Sequence, residues 1–226
     1  MMMQALPRAR RRLTQAQEDY LKSLYQLGDA GTSVGTSQLA AALGVSAASA
    51  TEMLGKLAAH GLVTHDRYRG ASLTPDGLAV ALEIVRHHRL LEMYLTRKLG
   101  YGWDEVHDEA EELEHVISER MEERIFEALG RPDVDCHGDP IPTLGGEVAP
   151  STSRSLVDAR AGERLRVGRV SDRDPGKLRR LEQLGLRLGV ELQVIAESEY
   201  EGPIEVRVGG RRRQVPLGIA RAVFVR

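Results

Sequence analysis

A mainly α chain that ends in a small β domain is predicted, and three features predict it. Apolar side chains recur at helical spacing from Leu13 to Leu129, a Pro-, Gly- and Ser-rich stretch follows from Pro132, and beyond Leu156 the chain switches to short β-prone runs. At 226 residues there is room for two or three small domains, and the expected divisions are 1–75, 76–150 with a linker from about 132, and 151–226. Hydrophobic content of 42% is ample for packed cores, while 4% aromatics means that Leu, Val, Ile and Ala must build them.

No apolar run approaches the roughly 18 to 20 residues of a spanning helix, and the start with Arg8, Arg10, Arg11 and Arg12 lacks the apolar stretch of a secretory signal. A cytoplasmic protein without a membrane partner is therefore expected. Cys136 is the sole cysteine, which excludes an intrachain disulfide and a thiolate zinc cage built from one chain. Net charge is only −2, but it is unevenly placed: basic clusters gather in residues 1–75 and acidic ones in 104–127.

In the first part, Thr14 caps a helix that Gly28 stops, Ser37 opens a short second helix ending at Gly44, and Ser46 caps a third that ends at Gly61. Ala50, Met53, Leu54 and Leu57 form the buried stripe of that third helix. Two short helices joined by a brief turn are a helix-turn-helix pattern. The run LVTHDRYRGASLT adds a hairpin with Arg67 and Arg69 at its tip, which is the wing of a winged helix and would reach backbone phosphate. The outward face of the third helix offers Ala48, Ser49, Thr51 and Glu52 to base edges and Lys56 to phosphate, so double-stranded DNA is the expected partner. No small-molecule substrate is expected.

In the second part, Thr74-Pro75 opens a long helix running to about Leu99, apolar on more than one side, so that one face is expected to pack a second subunit as a homodimer. His88 and Glu92 stand four apart on it. The stretch VHDEAEELEHV follows, with His107, Glu111, Glu114 and His115 on one helical arc beside an apolar stripe of Val106, Ala110, Leu113 and Ile117. Imidazole and carboxylate groups at these offsets can converge on one divalent cation. A further helix is expected from Ile117 to Leu129, and Cys136-His137 is read as part of an ordered turn rather than a metal site. In the last part, RLRVGRV, VELQVIAES, IEVRV, RRRQVPL and ARAVFVR suggest five strands of a small barrel, with one short helix around Pro175 to Leu184.

With winged helix, long helix and VHDEAEELEHV in this order, nearly the whole chain resembles the diphtheria-toxin-repressor family of metal-dependent transcriptional regulators. The resemblance implies a metal-binding set: Asp19 in EDYL, His88 and Glu92 in HHRLLE, and His107, Glu111, Glu114 and His115. CHGDPIP resembles the family's turn after these helices, and LEQLGLRLGVEL its SH3-like domain, shared with ferrous transport accessory proteins, where Asp174 is a weaker candidate ligand. The iron-responsive branch has methionine and cysteine at the positions of Asp19 and Glu111, so this set is harder. The manganese-responsive branch has glutamate at Lys22 and tyrosine at His107, so this chain mixes the two, and His88, Glu92 and His107 correspond to the separate ancillary site of the iron type. The implied function is a homodimeric repressor of metal-homeostasis genes, activated by Mn(II) or else Fe(II). The alternatives are a di-metal carboxylate enzyme on a helical scaffold, because Glu-x-x-His is also a di-iron motif, and a winged-helix DNA-binding protein indifferent to metal.

Overall fold

The computed structural model describes residues 13–28, 32–66, 68–150, 152–171, 174–198 and 200–226. They fall into two compact units, one of residues up to His87 together with Pro142–Glu147, the other of His88–Ile141 and Val148–Arg226.

The first unit begins with α1 (Gln15–Leu27), where Thr14 and Gln17 form a reciprocal capping box, and continues with α2 (Thr36–Ala42) and α3 (Ala47–Ala59). The second helix starts two residues earlier than expected: Gly35 is its N-cap, and Ser37 lies inside it. Ser46 caps α3 by accepting from the Ser49 backbone N–H, a contact of the kind whose loss costs about 1 kcal/mol. Strands β1 (Val63–Asp66) and β2 (Gly70–Leu73) make the hairpin, and Val34 bridges Ala71 beside it. Gly70 is required there. Its φ of +88° suits glycine, and a Cβ would stand 2.1 Å from the Val34 carbonyl oxygen. Leu21, Leu39, Leu54, Leu57, Leu62 and Ile84 are buried in one core, and Met53 sits at its margin, only partly covered.

Helix α4 (Pro75–Tyr94) is continuous across the division between the units and ends in a π turn, Leu95–Leu99, before Gly100 adopts the left-handed conformation. In the second unit, α5 (Val106–Leu113) is shorter than the VHDEAEELEHV pattern suggests. Glu114 is its C-cap, His115 and Val116 lie in a turn, and α6 (Glu119–Ala128) starts afresh with Ser118 as N-cap. The reason is local: a serine hydroxyl that accepts from the Met121 N–H favours a new start over continuation from Ile117. Val106, Ala110 and Ile125 pack with Leu90, Leu91 and Met93 of α4.

The rest of the unit is an antiparallel sheet of β3 (Arg154–Ser155), β4 (Arg164–Val170), β5 (Glu191–Ala196), β6 (Ile204–Val208), β7 (Arg211–Val215) and β8 (Val223–Val225), in the order β3-β8-β4-β5-β6-β7. All five expected strands are present, and the short β3 adds a sixth. Helices α7 (Pro175–Leu184) and α8 (Leu217–Ala220) complete it, with Leu178, Leu181, Val194 and Val206 among the core residues. The stretch after Pro132 is more than a tether: Asp135, His137 and Ile141 are buried, and Val134 bridges Pro140.

Candidate functional site

His88 and Glu92 project from successive turns of α4 into the interior of the second unit, at 4% and 0% exposure. Glu92 Oε1 lies 3.0 Å from His88 Nε2 and 3.2 Å from His107 Nδ1 on α5. The two ring nitrogens are themselves 3.0 Å apart, with the rings edge to face. Three donor atoms so close together are spaced as the ligands of one small cation are, at bond lengths of about 2.0–2.2 Å. The other nitrogen of His88, Nδ1, is 2.5 Å from Glu114 Oε2. A carboxylate behind a ligating imidazole fixes its tautomer and ring orientation. Glu111 Oε1 stands 3.5 Å from His107 Nε2, and Glu114 Oε1 3.5 Å from His115 Nε2.

A further wall comes from a segment that sequence reasoning assigned to a plain turn. The turn is real: Asp135 Oδ1 accepts from the backbone N–H groups of His137 and Asp139, both at 2.9 Å. Yet it carries Cys136 and His137 to Glu92, whose Oε2 is 3.5 Å from His137 Nδ1. Three features lock it in place. His137 Nε2 is 3.2 Å from the Trp103 carbonyl oxygen, the Val170 N–H of β4 donates to the His137 carbonyl at 2.8 Å, and Gly138, at φ +90°, passes so near β4 that a Cβ would sit 2.3 Å from the Gly168 oxygen. Neighbouring residues in a turn carry no periodic signal; only an imidazole and a thiol side by side hinted at donors.

Among the described residues of this unit, three overlapping groups can each bring their donor atoms within 4.8 Å of one another: His88, Glu92 and His107; Glu92, Cys136 and His137; and His88, Glu111 and Glu114. Glu92 Oε2 is buried without a hydrogen-bond partner, as expected of an oxygen facing a ligand position, so the donor set fits a divalent transition metal. Electrostatics agree. Burial works to raise the Glu92 pKa but is outweighed by the charge of His88 and the close ring nitrogens of His107, His137 and His88, which hold the carboxyl well below its usual range. Burial likewise opposes protonation of His137, and the Cys136 and Glu92 contacts override it, raising the imidazole pKa. Burial raises the Cys136 thiol. Positive charge gathered around Glu92 is what a cation would replace.

Two sequence candidates are not members of these three groups. Asp19 is half-buried on α1 of the first unit. Asp174 is the N-cap of α7, its Oδ1 accepting from the Gly176 and Lys177 backbone N–H groups, and it belongs to none of the three donor groups. A carboxylate with Pro175 next to it is a capping signature, and capping is the role it fills here. What meets the candidate site from the C-terminal sheet is instead β4, through Val170 and Gly168.

In the first unit Ala48, Ser49, Thr51, Glu52 and Lys56 are all exposed on α3. The Thr51 hydroxyl donates to the Ala47 carbonyl at 2.8 Å, which leaves its methyl and lone pairs outward. Lys56 is 2.7 Å from Glu52, a surface pair that phosphate can displace. At the wing, Asp66 Oδ1 accepts from the Tyr68 and Arg69 N–H groups, and Arg69 is exposed and Tyr68 is 92% exposed. Arg67 lies outside the described residues. Tyr68 escaped the sequence reading, although an aromatic between two arginines was a usable signal.

Residues 12–71 match the model of the iron dependent repressor N-terminal DNA binding domain, residues 74–143 that of the iron dependent repressor metal binding and dimerisation domain, and residues 154–226 the FeoA domain. The diphtheria toxin repressor of Corynebacterium efficiens is 30% identical over 94% of this chain and 96% of its own length. The chain belongs to the diphtheria-toxin-repressor family of metal-dependent transcriptional regulators. The iron-dependent repressor IdeR of Mycobacterium tuberculosis is 34% identical over 58% of this chain and 57% of that protein. Among solved structures, a manganese-dependent transcriptional repressor in complex with manganese is 42% identical at a TM-score of 0.86, covering 92% of this chain and 98% of that one. ScaR with bound Zn2+ is 33% identical at a TM-score of 0.79, covering 93% and 98%. Family members of this kind are repressors rather than enzymes, so the di-metal hydrolase or oxidase alternative falls, as does that of a winged-helix protein indifferent to metal. The fold agrees with the expected winged helix, helical metal-binding domain and SH3-like end. No helix of the described residues is long and apolar enough to cross a membrane.

Proposed function

We propose that this repressor is a homodimer that binds operator DNA of metal-homeostasis genes when Mn(II), or less favourably Fe(II), is bound. The observation that carries this reading is the triangle of Glu92 Oε1, His88 Nε2 and His107 Nδ1, with sides of 3.0 to 3.2 Å. Oxygen and nitrogen donors dominate the set, and carboxylate with imidazole suits Mn(II) where several thiolates would suit softer ions. The 42% identity to a manganese-dependent repressor points the same way.

In this reading the ligands are His88, Glu92, His107, Glu111, Glu114 and His115, joined by Cys136 and His137. Asp19 is the ligand of the DNA-binding lobe, supported by the EDYL motif on α1. A bound cation supplies the positive charge that holds the carboxylates together. Glu114 orients His88, and β4 holds His137 against Glu92. Metal favours the DNA-binding conformation by its differential affinity for it and by no more. Asp174 is better assigned to capping than to ligation. Ala48, Ser49, Thr51 and Glu52 read base edges, while Lys56, Arg67 and Arg69 contact phosphate, and the three parts divide near 75 and 150. Operator binding measured with Mn(II), Fe(II) and chelator at one salt concentration tests this. Tightest binding with Mn(II) is expected; equal binding in chelator would refute it.

A further inference from the structure

We propose that the solvent face of the C-terminal sheet is a second, sequence-independent DNA-contacting surface, on which one cross-strand row of arginines takes duplex phosphates; this rests on the chain's assignment as a DNA-binding repressor. The strand register defines the row. Arg164 on β4 pairs with Gln193 on β5, Gln193 with Arg207 on β6, and Arg207 with Arg212 on β7. All three arginines are exposed.

The local chemistry works against a purely structural role. Arg207 and Arg212 stand directly opposite each other, and like charges so placed destabilise a sheet. Their polar contacts do little to cancel this: Arg207 Nη1 donates to the neutral Gln193 amide oxygen at 3.1 Å, and Arg212 Nη1 reaches Glu205 at 3.2 Å from an exposed position. On one flank Arg166 pairs with Glu191, and on the other Glu205 lies opposite Gln214 and is taken up by Arg212, so the positive charge without a carboxylate partner sits on Arg207, in the middle of the row. Charge on an edge strand can simply block edge-to-edge pairing. That would account for Arg211, Arg212 and Arg213 on β7, which ends the sheet, but not for Arg207 and Arg164 on the interior strands β6 and β4. A local rule broken without a structural gain points to function.

A duplex fits the row by chemistry and by size. Guanidinium groups match phosphate geometry with paired N–H donors. The row spans three strand spacings, roughly 14 Å, along which a duplex carries one phosphate per about 1.7 Å of axis. Contact made by arginines to phosphates alone positions a duplex without reading its sequence.

The test uses the full-length protein and its R164Q/R207Q/R212Q variant, binding a non-operator duplex by fluorescence anisotropy across a salt series with chelator present. The slope of log K against log salt should flatten by roughly two to three units, about 0.9 per lost phosphate contact. Thermal unfolding should be unchanged or raised, because an opposed like-charge pair is removed. If the triple variant unfolds, R207Q alone should flatten the slope by about one unit. An unchanged slope in a folded variant overturns the proposal. So does a change confined to self-association in sedimentation, which would give the row to the acidic surface of a second copy. Wild-type protein that failed to bind its operator with Mn(II) would instead count against the repressor reading itself.

Discussion

Glu92 meets three imidazoles: His88 and His107 at one oxygen and His137 at the other. Glu92→Gln keeps the volume but removes the charge, so the apo protein should lose about 2 kcal/mol of stability, the scale of a hydrogen bond to a charged group. Chemical unfolding of the apo form would measure that, and added Mn(II) should fail to restore it. Glu111 is a different case. Its side chain is 40% exposed, so Glu111→Ala should leave folding intact and weaken the metal response alone, while Glu111→Cys should shift preference from Mn(II) toward softer ions. At the wing, Arg69→Ala should flatten the salt slope of DNA binding by about one unit. Tyr68→Ala should weaken binding at unchanged slope, since a neutral side chain releases no counterion. His88 and Glu92 were legible in the sequence because a spacing of four is a helical signal. Cys136 and His137 were not, because only long-range packing brings them to Glu92 of α4.

Among the elements, the turn from Asp133 to Ile141 carries the least sequence signal and much of the site. Gly138→Ala would force a Cβ into the space 2.3 Å from the Gly168 oxygen at a φ that disfavours it. It should cost more than about 1 kcal/mol and loosen His137, so metal affinity measured by calorimetry should fall although no ligand is changed. If affinity held while stability dropped, the packing against β4 would have no part in the site. The helices were legible wherever caps agree with apolar period, as at Thr14, Ser46 and Gly100. At the end of α5 period and cap disagree: the apolar stripe runs on to Ile117, yet Ser118 restarts the helix, and Glu114, the C-cap still in helical conformation, reaches His88.

For the molecule as a whole, a ligand that binds only the folded state stabilises it by about 2.7 kcal/mol at one hundred times its Kd, so Mn(II) should raise Tm and chelator should lower it. Metal binding should also release protons and weaken as pH falls, because the His137 imidazole, its pKa raised by Cys136 and Glu92 against burial, must give up its proton to ligate. Calorimetry in buffers of different ionisation enthalpy would detect that release. The order of the parts was legible in composition, since apolar period, Pro and Gly content and β-prone runs change along the chain. The compact units were not, because one continuous α4 belongs to both. The most direct measurement of metal-controlled DNA binding is operator affinity across a Mn(II) titration for wild type and Glu92→Gln, with circular dichroism as the folding control. Wild-type affinity should rise with Mn(II) and collapse in chelator, while the variant stays at the weak, salt-sensitive level throughout. A folded Glu92→Gln protein that kept the wild-type Mn(II) response would contradict the account.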